Sequence, residues 1–337
     1  MSHPLPHRQA VLPPDLPPLL TVIVDTEEEF DWSRPLAREN VAVTTIPAQR
    51  RAHALFDRYG IVPTYVVDWP VATSPVARDL LGGLQREGRC GIGAHLHPWV
   101  NPPHEEVVSP AASYAGNLPP ALEREKLRRL TEAIAEGFGR APTVYRAGRY
   151  GLGPETPALL LELGYRVDSS VVPWVSFAAD SGPDFRGYGI DPFWVGPGGR
   201  LLELPLTAGF TGPLRGRTAA LHTATTSPLG MRLRLPGLLA RSGLFDRIRL
   251  SPEGLRFEDH RRLVETLLAD GRRIFSYTYH SPSLAPGHTP YVRSGADLDR
   301  FLTDMERFFD FFRGLGGRFT TPEALHDLMS GATAAAA

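Results

Sequence analysis

Six residues of this chain have types and neighbours that admit chemistry: Asp25, Glu27, His95, His97, Arg146 and His280. Asp25 closes an apolar run at 19–25 and opens an acidic stretch at 25–31. Solvation alone does not explain a carboxylate that an apolar run leads straight into. Residues two apart on a strand face one side, so Asp25 and Glu27 can both point inward. Glu28 and Glu29 fit a solvated loop. His95 and His97 obey the same period of two. Such a pair presents two imidazoles to one centre and, with a carboxylate, supplies nitrogen and oxygen donors suited to zinc or a similar divalent ion. Two histidines bonded to nearby carbonyls would have the same spacing. His280 follows the apolar run 274–279. A histidine there suits general-acid work because it titrates near neutrality, and it also fits a core histidine satisfied by a backbone group. Arg146 ends a buried strand and needs an anionic partner, for which Asp25 and Asp168 are the candidates. Trp32, Trp69, Trp99 and Trp174 each follow a strand. Aromatic rings in such positions stack on sugars or simply pack loops.

The elements that must position these groups alternate. Apolar runs predict strands at 19–25, 62–68, 90–96, 143–147, 165–171, 201–206, 273–280 and 318–321. Helical spacing predicts helices at 47–59, 75–87, 120–138, 154–163, 255–269, 297–312 and 322–329. Repeated strand–helix alternation implies parallel strands with crossover helices. Whether the sheet closes is left open by the pattern. The chemical residues fall at the carboxyl ends of strands, where α/β barrels hold their catalytic groups. Asp68, Asp168 and Glu203 share that placement. The expected organisation is one domain over 19–329, interrupted by insertions at 174–200 and 207–254. A flexible proline-rich segment at 1–18 and a flexible tail at 330–337 flank it.

Composition narrows the partners. The 337 residues are 42% hydrophobic and 22% charged, with a net charge of −1, which gives no footprint for nucleic acid or an anionic membrane. The single cysteine, Cys90, can form no internal disulfide and reads as a small buried hydrophobe. The first 18 residues hold no long apolar run, so neither a secretory signal nor a membrane span is expected there, and a cytoplasmic location is.

In order along the chain stand TVIVDTEEEF (21–30), GIVPTYVVD (60–68), GRCGIGAHLHPW (88–99), YRAGRYG (145–151), LGYRVDSSVVP (163–173), LLELPLT (201–207), FSYTYHSPSL (275–284) and GRFTTPEAL (317–325). This ordered set, spanning about 19–329, resembles the polysaccharide deacetylases, carbohydrate esterase family 4, in a divergent branch with an HPW form of the histidine motif. The resemblance implies a distorted (β/α) barrel of seven or eight parallel strands. It implies a metal-dependent hydrolase that removes acetyl groups from N- or O-acetylated sugars, with a carbohydrate or small-molecule substrate. On it, Asp25 matches the base, Arg146 the arginine that contacts the base, and His280 the acid. His95 matches the first metal histidine, and Glu27 or Glu28 falls where the metal carboxylate belongs. Trp32, Trp99, Tyr150 and Asp168 are the expected substrate-binding residues.

Two departures stand out. The family's adjacent Asp-Asp pair is here Asp25-Thr26-Glu27, and Trp99 occupies the place of the second metal histidine. His97 is the substitute that the sequence offers, and an incomplete site is the alternative. Two other functions remain open on the same scaffold: hydrolysis of another non-peptide C–N bond, and a non-catalytic carbohydrate-binding or regulatory relic.

Overall fold

The computed structural model describes residues 5, 7–13 and 15–336. Its strands are β1 (Arg8–Gln9), β2 (Leu19–Thr26), β3 (Thr64–Val67), β4 (Gly91–Leu96), β5 (Val144–Ala147), β6 (Val167–Asp168), β7 (Phe193–Val195), β8 (Leu201–Glu203), β9 (Ala208–Thr211), β10 (Asp246–Arg249), β11 (Ile274–His280) and β12 (Arg318–Phe319). Its helices are α1 (Gln49–Tyr59), α2 (Trp69–Thr73), α3 (Pro75–Arg86), α4 (Pro120–Phe138), α5 (Thr156–Glu162), α6 (Thr218–Thr226), α7 (Pro228–Arg232), α8 (Leu235–Arg241), α9 (Phe257–Ala269), α10 (Gly295–Gly314) and α11 (Pro322–Ala336).

The main sheet runs β8-β6-β5-β4-β3-β2-β11 in parallel. β12 adds a further parallel partner to the first residues of β2, below the point where β3 begins to pair. Among the described residues no ladder joins β8 to β11, so the sheet curls without closing. The chain following β8 and β10 fills the gap. Ser276 N–H donates to Thr207 Oγ1 at 2.8 Å, and Leu250 N–H to the Thr207 carbonyl at 2.8 Å. The fold is thus the expected distorted barrel, with seven parallel strands on the main path.

Parity of register decides which side chains face inward. Ile23, Val66, Val144, Val167 and Leu202 fill the barrel interior. Tyr65, Tyr145 and Leu201 join the larger cluster under the helices. The helices obey ordinary end rules. α4 starts on Pro120 and stops at Gly139 in the left-handed region, where a residue without Cβ is unstrained. α10 carries a capping box between Ser294 and Asp297. It buries Phe308, Phe309 and Phe312 against Phe275, Tyr277 and Phe319.

Several boundaries differ from expectation. Within the segment expected to be flexible, Arg8–Gln9 pairs antiparallel with Phe193–Trp194, and Ala10, Leu12 and Leu16 pack on the interior cluster. Prolines keep that segment extended, so little further conformational freedom is lost when it lies along an edge. The expected insertion at 174–200 likewise supplies β7, an antiparallel edge to the same sheet. At the other end α11 runs through the expected tail to Ala336, in keeping with alanine's helix propensity. Residues 1–4, 6, 14 and 337 of these two segments lie outside the described residues. Cys90 is buried, and burial pushes its thiol up to about 12, so it behaves as a hydrophobe.

Candidate metal centre and active site

Parallel register assembles the site. It sets His280 of β11 beside Asp25 of β2, and His95 of β4 beside Arg146 of β5. Glu27 and His97 follow directly on β2 and β4, with their carboxylate and imidazole at the same mouth. All six line or adjoin one cavity of about 510 Å³ at the carboxyl ends of the strands.

Glu27, His95 and His97 form one group. The Nε2 atoms of both histidines stand 3.5 Å from Glu27 Oε2. Their opposite nitrogens are occupied elsewhere: His95 Nδ1 meets the Arg146 carbonyl at 2.9 Å, and His97 Nδ1 meets Glu28 Oε2 at 2.7 Å. A proton on each Nδ1 leaves both Nε2 lone pairs aimed at one point, the arrangement by which outer partners orient metal-binding imidazoles. Glu27 Oε1 is buried without a hydrogen-bond partner. Burial lowers the pKa of His95 and takes His97 down to about 4, so both rings are neutral. Burial also lifts Glu27 to about 7, against the pull of His280 and His95. A buried carboxylate with Oε2 facing two neutral imidazoles and Oε1 left without a partner fits a divalent ion with nitrogen and oxygen ligands.

Glu28 does not lie in a solvated loop. It is fully buried, and its carboxylate accepts from His97 and, at 2.8 Å, from Trp99 Nε1. Asp68 accepts the Glu28 N–H at 2.7 Å and the Val71 N–H at 2.9 Å. Burial and the neighbouring Glu28 raise Asp68 well above the carboxylate range, and burial raises Glu28 as well. Glu28, Asp68 and His97 also lie close enough to one another to hold an ion. Their oxygens are already used by N–H donors, so the Glu27 group fits better. Trp99 stacks on His97 with ring centroids 4.2 Å apart and is 1% exposed. Although its ring touches the cavity wall, its N–H holds the carboxylate that orients His97.

Arg146 crosses the barrel interior. Its Nη1 meets Asp25 Oδ1 at 2.5 Å and Thr278 Oγ1 at 2.6 Å, and its Nε donates to the Ser169 carbonyl at 2.8 Å. Burial works to raise the Asp25 pKa, but the Arg146 guanidinium and the His280 imidazolium hold it below the ordinary value. On the other side, His280 Nε2 stands 3.8 Å from Asp25 Oδ2, while its Nδ1 donates to Glu253 Oε2 at 2.8 Å. Burial works to lower His280, yet the carboxylates of Glu253, Glu27 and Asp25 lift it to about 10. The site therefore pairs an ionised carboxylate with a protonated imidazole.

The cavity rim carries Phe30, Trp32, Tyr150, Phe177 and Tyr291. Trp32 is exposed and meets the His280 ring edge-on. Tyr150 and Arg149 both have positive φ, a costly backbone state found at the turn directly after β5. Asp168, expected among the substrate contacts, is a correction. It is fully buried, accepts from Ser170 Oγ, and stands in register with Tyr145 and Glu203 on the helix-covered face. Parity turns it away from the cavity that its neighbour in the chain, Ser169, reaches through Arg146. Sequence reasoning missed Glu253, which lies in a Ser-Pro-Glu-Gly turn that reads only as loop punctuation. It also missed Arg249 and Tyr291 on the cavity wall.

No protein-family profile and no curated protein matches this sequence. Solved structures do match in shape. An allantoinase, Puue, aligns with a TM-score of 0.54 at 14% identity, covering 92% of this chain and 89% of its own. The probable polysaccharide deacetylase of Pseudomonas aeruginosa PAO1 aligns at 0.51 and 15% identity, covering 92% and 90%. A branching enzyme of Thermococcus kodakaraensis aligns at 0.50 and 15%, covering 92% and 71%. The chain therefore has the fold that polysaccharide deacetylases share with other enzymes, and its chemistry has to be argued from its own residues.

Proposed function

We propose that this protein is a metal-dependent hydrolase that removes the acetyl group from an N- or O-acetylated sugar or glycan. The observation that carries this reading is the convergence of the two Nε2 atoms on Glu27 Oε2, beside an Asp25–Arg146 pair and a His280–Glu253 pair in one cavity. Glu27, His95 and His97 would hold the ion, with zinc suited to the donor set. When bound, it would supply Lewis acidity toward the substrate carbonyl and the attacking water.

The chain's own residues do the rest. Asp25, kept ionised by Arg146, accepts the proton that leaves the water as its oxygen attacks the acetyl carbon. Arg146 fixes Asp25 through Oδ1 and leaves Oδ2 turned toward His280. As the C–N bond breaks, or the C–O bond of an ester, His280 Nε2 donates its proton to the departing amine or alkoxide. Glu253 keeps His280 protonated and correctly turned. Trp32 and Tyr150, with the other rim aromatics, offer faces for a sugar ring. The same machinery serves other non-peptide C–N bonds, and a panel of acetylated sugars and cyclic amides separates the two.

The first experiment is metal content. The purified protein should hold about one ion per chain, and His95→Ala and His97→Ala should each lose it. Only the loaded wild type should then release acetate from N-acetylated chitooligosaccharides. A protein that takes up no metal under any loading condition removes this mechanism and leaves the binding-protein reading in its place.

A further inference from the structure

The whole-chain charge of −1 averages over a strong local asymmetry. Residues 204–245 contain Arg215, Arg217, Arg232, Arg234 and Arg241 and no aspartate, glutamate or lysine, so this stretch carries +5. It follows β8, forms β9, and then leaves the barrel as α6, α7 and α8 before returning in β10. Arg215 is paired with Asp270. Arg217, Arg232, Arg234 and Arg241 are exposed, and among the described residues none has a carboxylate within ion-pair distance.

Aliphatic side chains interleave with these arginines. Leu229, Met231, Leu233, Leu238 and Leu244 are between 41% and 65% exposed. Most of the other large exposed hydrophobics of the chain are scattered valines, whereas these five fall within one short stretch. α8 has no fully buried residue. Such a surface costs solubility unless something covers it. Three kinds of partner could. A second copy joined through the same patch by a two-fold axis would set arginine against arginine, which the charge disfavours. Nucleic acid would meet the charge but not the leucines, and the two phenylalanines of this stretch, Phe210 and Phe245, are buried and offer no face on which a base could stack. An anionic bilayer surface satisfies both features, with guanidinium groups at the phosphate level and aliphatic side chains among the upper acyl carbons.

We propose that the α6–α8 insertion docks this protein on the surface of an anionic lipid bilayer, through exposed arginines and the leucines and methionine between them. This contact lies in the interfacial plane and needs no membrane-crossing helix; among the described residues no helix is long and apolar enough to cross. The proposal stands independently of the hydrolase chemistry.

Vesicle co-sedimentation of the full chain tests it, with phosphatidylcholine vesicles and with phosphatidylcholine–phosphatidylglycerol vesicles at about 0.1 M salt. Binding should require phosphatidylglycerol and weaken as salt rises. Each interfacial arginine strengthens partitioning roughly fivefold, so Arg232→Glu with Arg234→Glu should weaken it more than tenfold. Leu229→Ser with Leu233→Ser should also weaken vesicle binding several-fold while leaving retention on polyglutamate unchanged. Melting curves establish that both variants fold. The proposal is overturned by failure to bind phosphatidylglycerol vesicles. It is equally overturned if the leucine variant binds vesicles as wild type does, which would mark a charge-only site for an acidic protein or polymer. Vesicle binding replaced by a concentration-dependent dimer that the leucine variant abolishes would assign the patch to a second copy.

Discussion

In the proposed reaction Asp25 and His280 divide the proton work between them, and their surroundings push their pKa values in opposite directions. Asp25→Asn keeps the shape and removes the base, so deacetylation should fall by roughly 100-fold or more with the metal still bound. Undiminished release of acetate would sink the assignment. Glu253→Gln removes the carboxylate that most raises His280. The imidazolium should then lose its proton at lower pH, and the alkaline limb of kcat should move down by about one unit or more. Glu123 offers a test on stability. Burial lifts its carboxyl from 4.5 to about 7, with Thr156 Oγ1 donating to it. A folded-state pKa above the unfolded one stabilises fully below pH 4.5 and is lost as pH rises through 7. Glu123→Gln should therefore raise stability at pH 8.5 by up to about 3 kcal/mol and change little at pH 4, as read by urea unfolding. Of the site residues, those with side chains aimed inward by strand parity were legible from spacing. Glu28 was not, because a solvated acid and a buried one look alike until Trp99 and His97 are seen to donate to it.

At the scale of elements, the close packing of β4 against the turn after β5 fixes His97. A Cβ on Gly148 would collide with the His97 ring and the Leu96 carbonyl. Gly148→Ala should therefore displace the ring and weaken metal affinity by roughly 10- to 100-fold, with a smaller effect on melting. A competition titration against a chromophoric chelator measures this, and unchanged affinity would mean that the turn yields instead. The alternation of strands and helices was plain in the apolar runs, and α4 and β2 lie within a residue of their expected limits. β6 is much shorter than the expected strand at 165–171, since only Val167–Asp168 pairs. That brevity hid the parity of Asp168: a charge at a strand end reads the same whether it faces the cavity or the helices. β7, β9 and β10 lie in stretches with many glycines and prolines, and their pairing depends on partners far along the chain.

For the whole molecule, binding of the proposed ion and the fold would be linked by mass action. An ion at 100 times its Kd stabilises by about 2.7 kcal/mol, which for a chain of this size raises Tm by roughly 4 °C. His97→Ala should abolish that rise, as scanning calorimetry would show. The barrel was legible as a class because its period is local. The gap between β8 and β11 was not, because it is bridged by Thr207 and Leu250 from a stretch read as an insertion.

β2 has a further consequence. It is the first parallel strand of the main sheet to leave the ribosome, yet one edge is completed only by β11, and part of the other only by β12, near the far end of the chain. At about 5–20 residues per second, its apolar edge stays open for roughly 10–50 s of translation. During that time neighbouring nascent chains compete with β11 for the same hydrogen bonds. Slower translation and poorer shielding of that strand should therefore lower the yield of folded protein without changing the stability of the finished barrel.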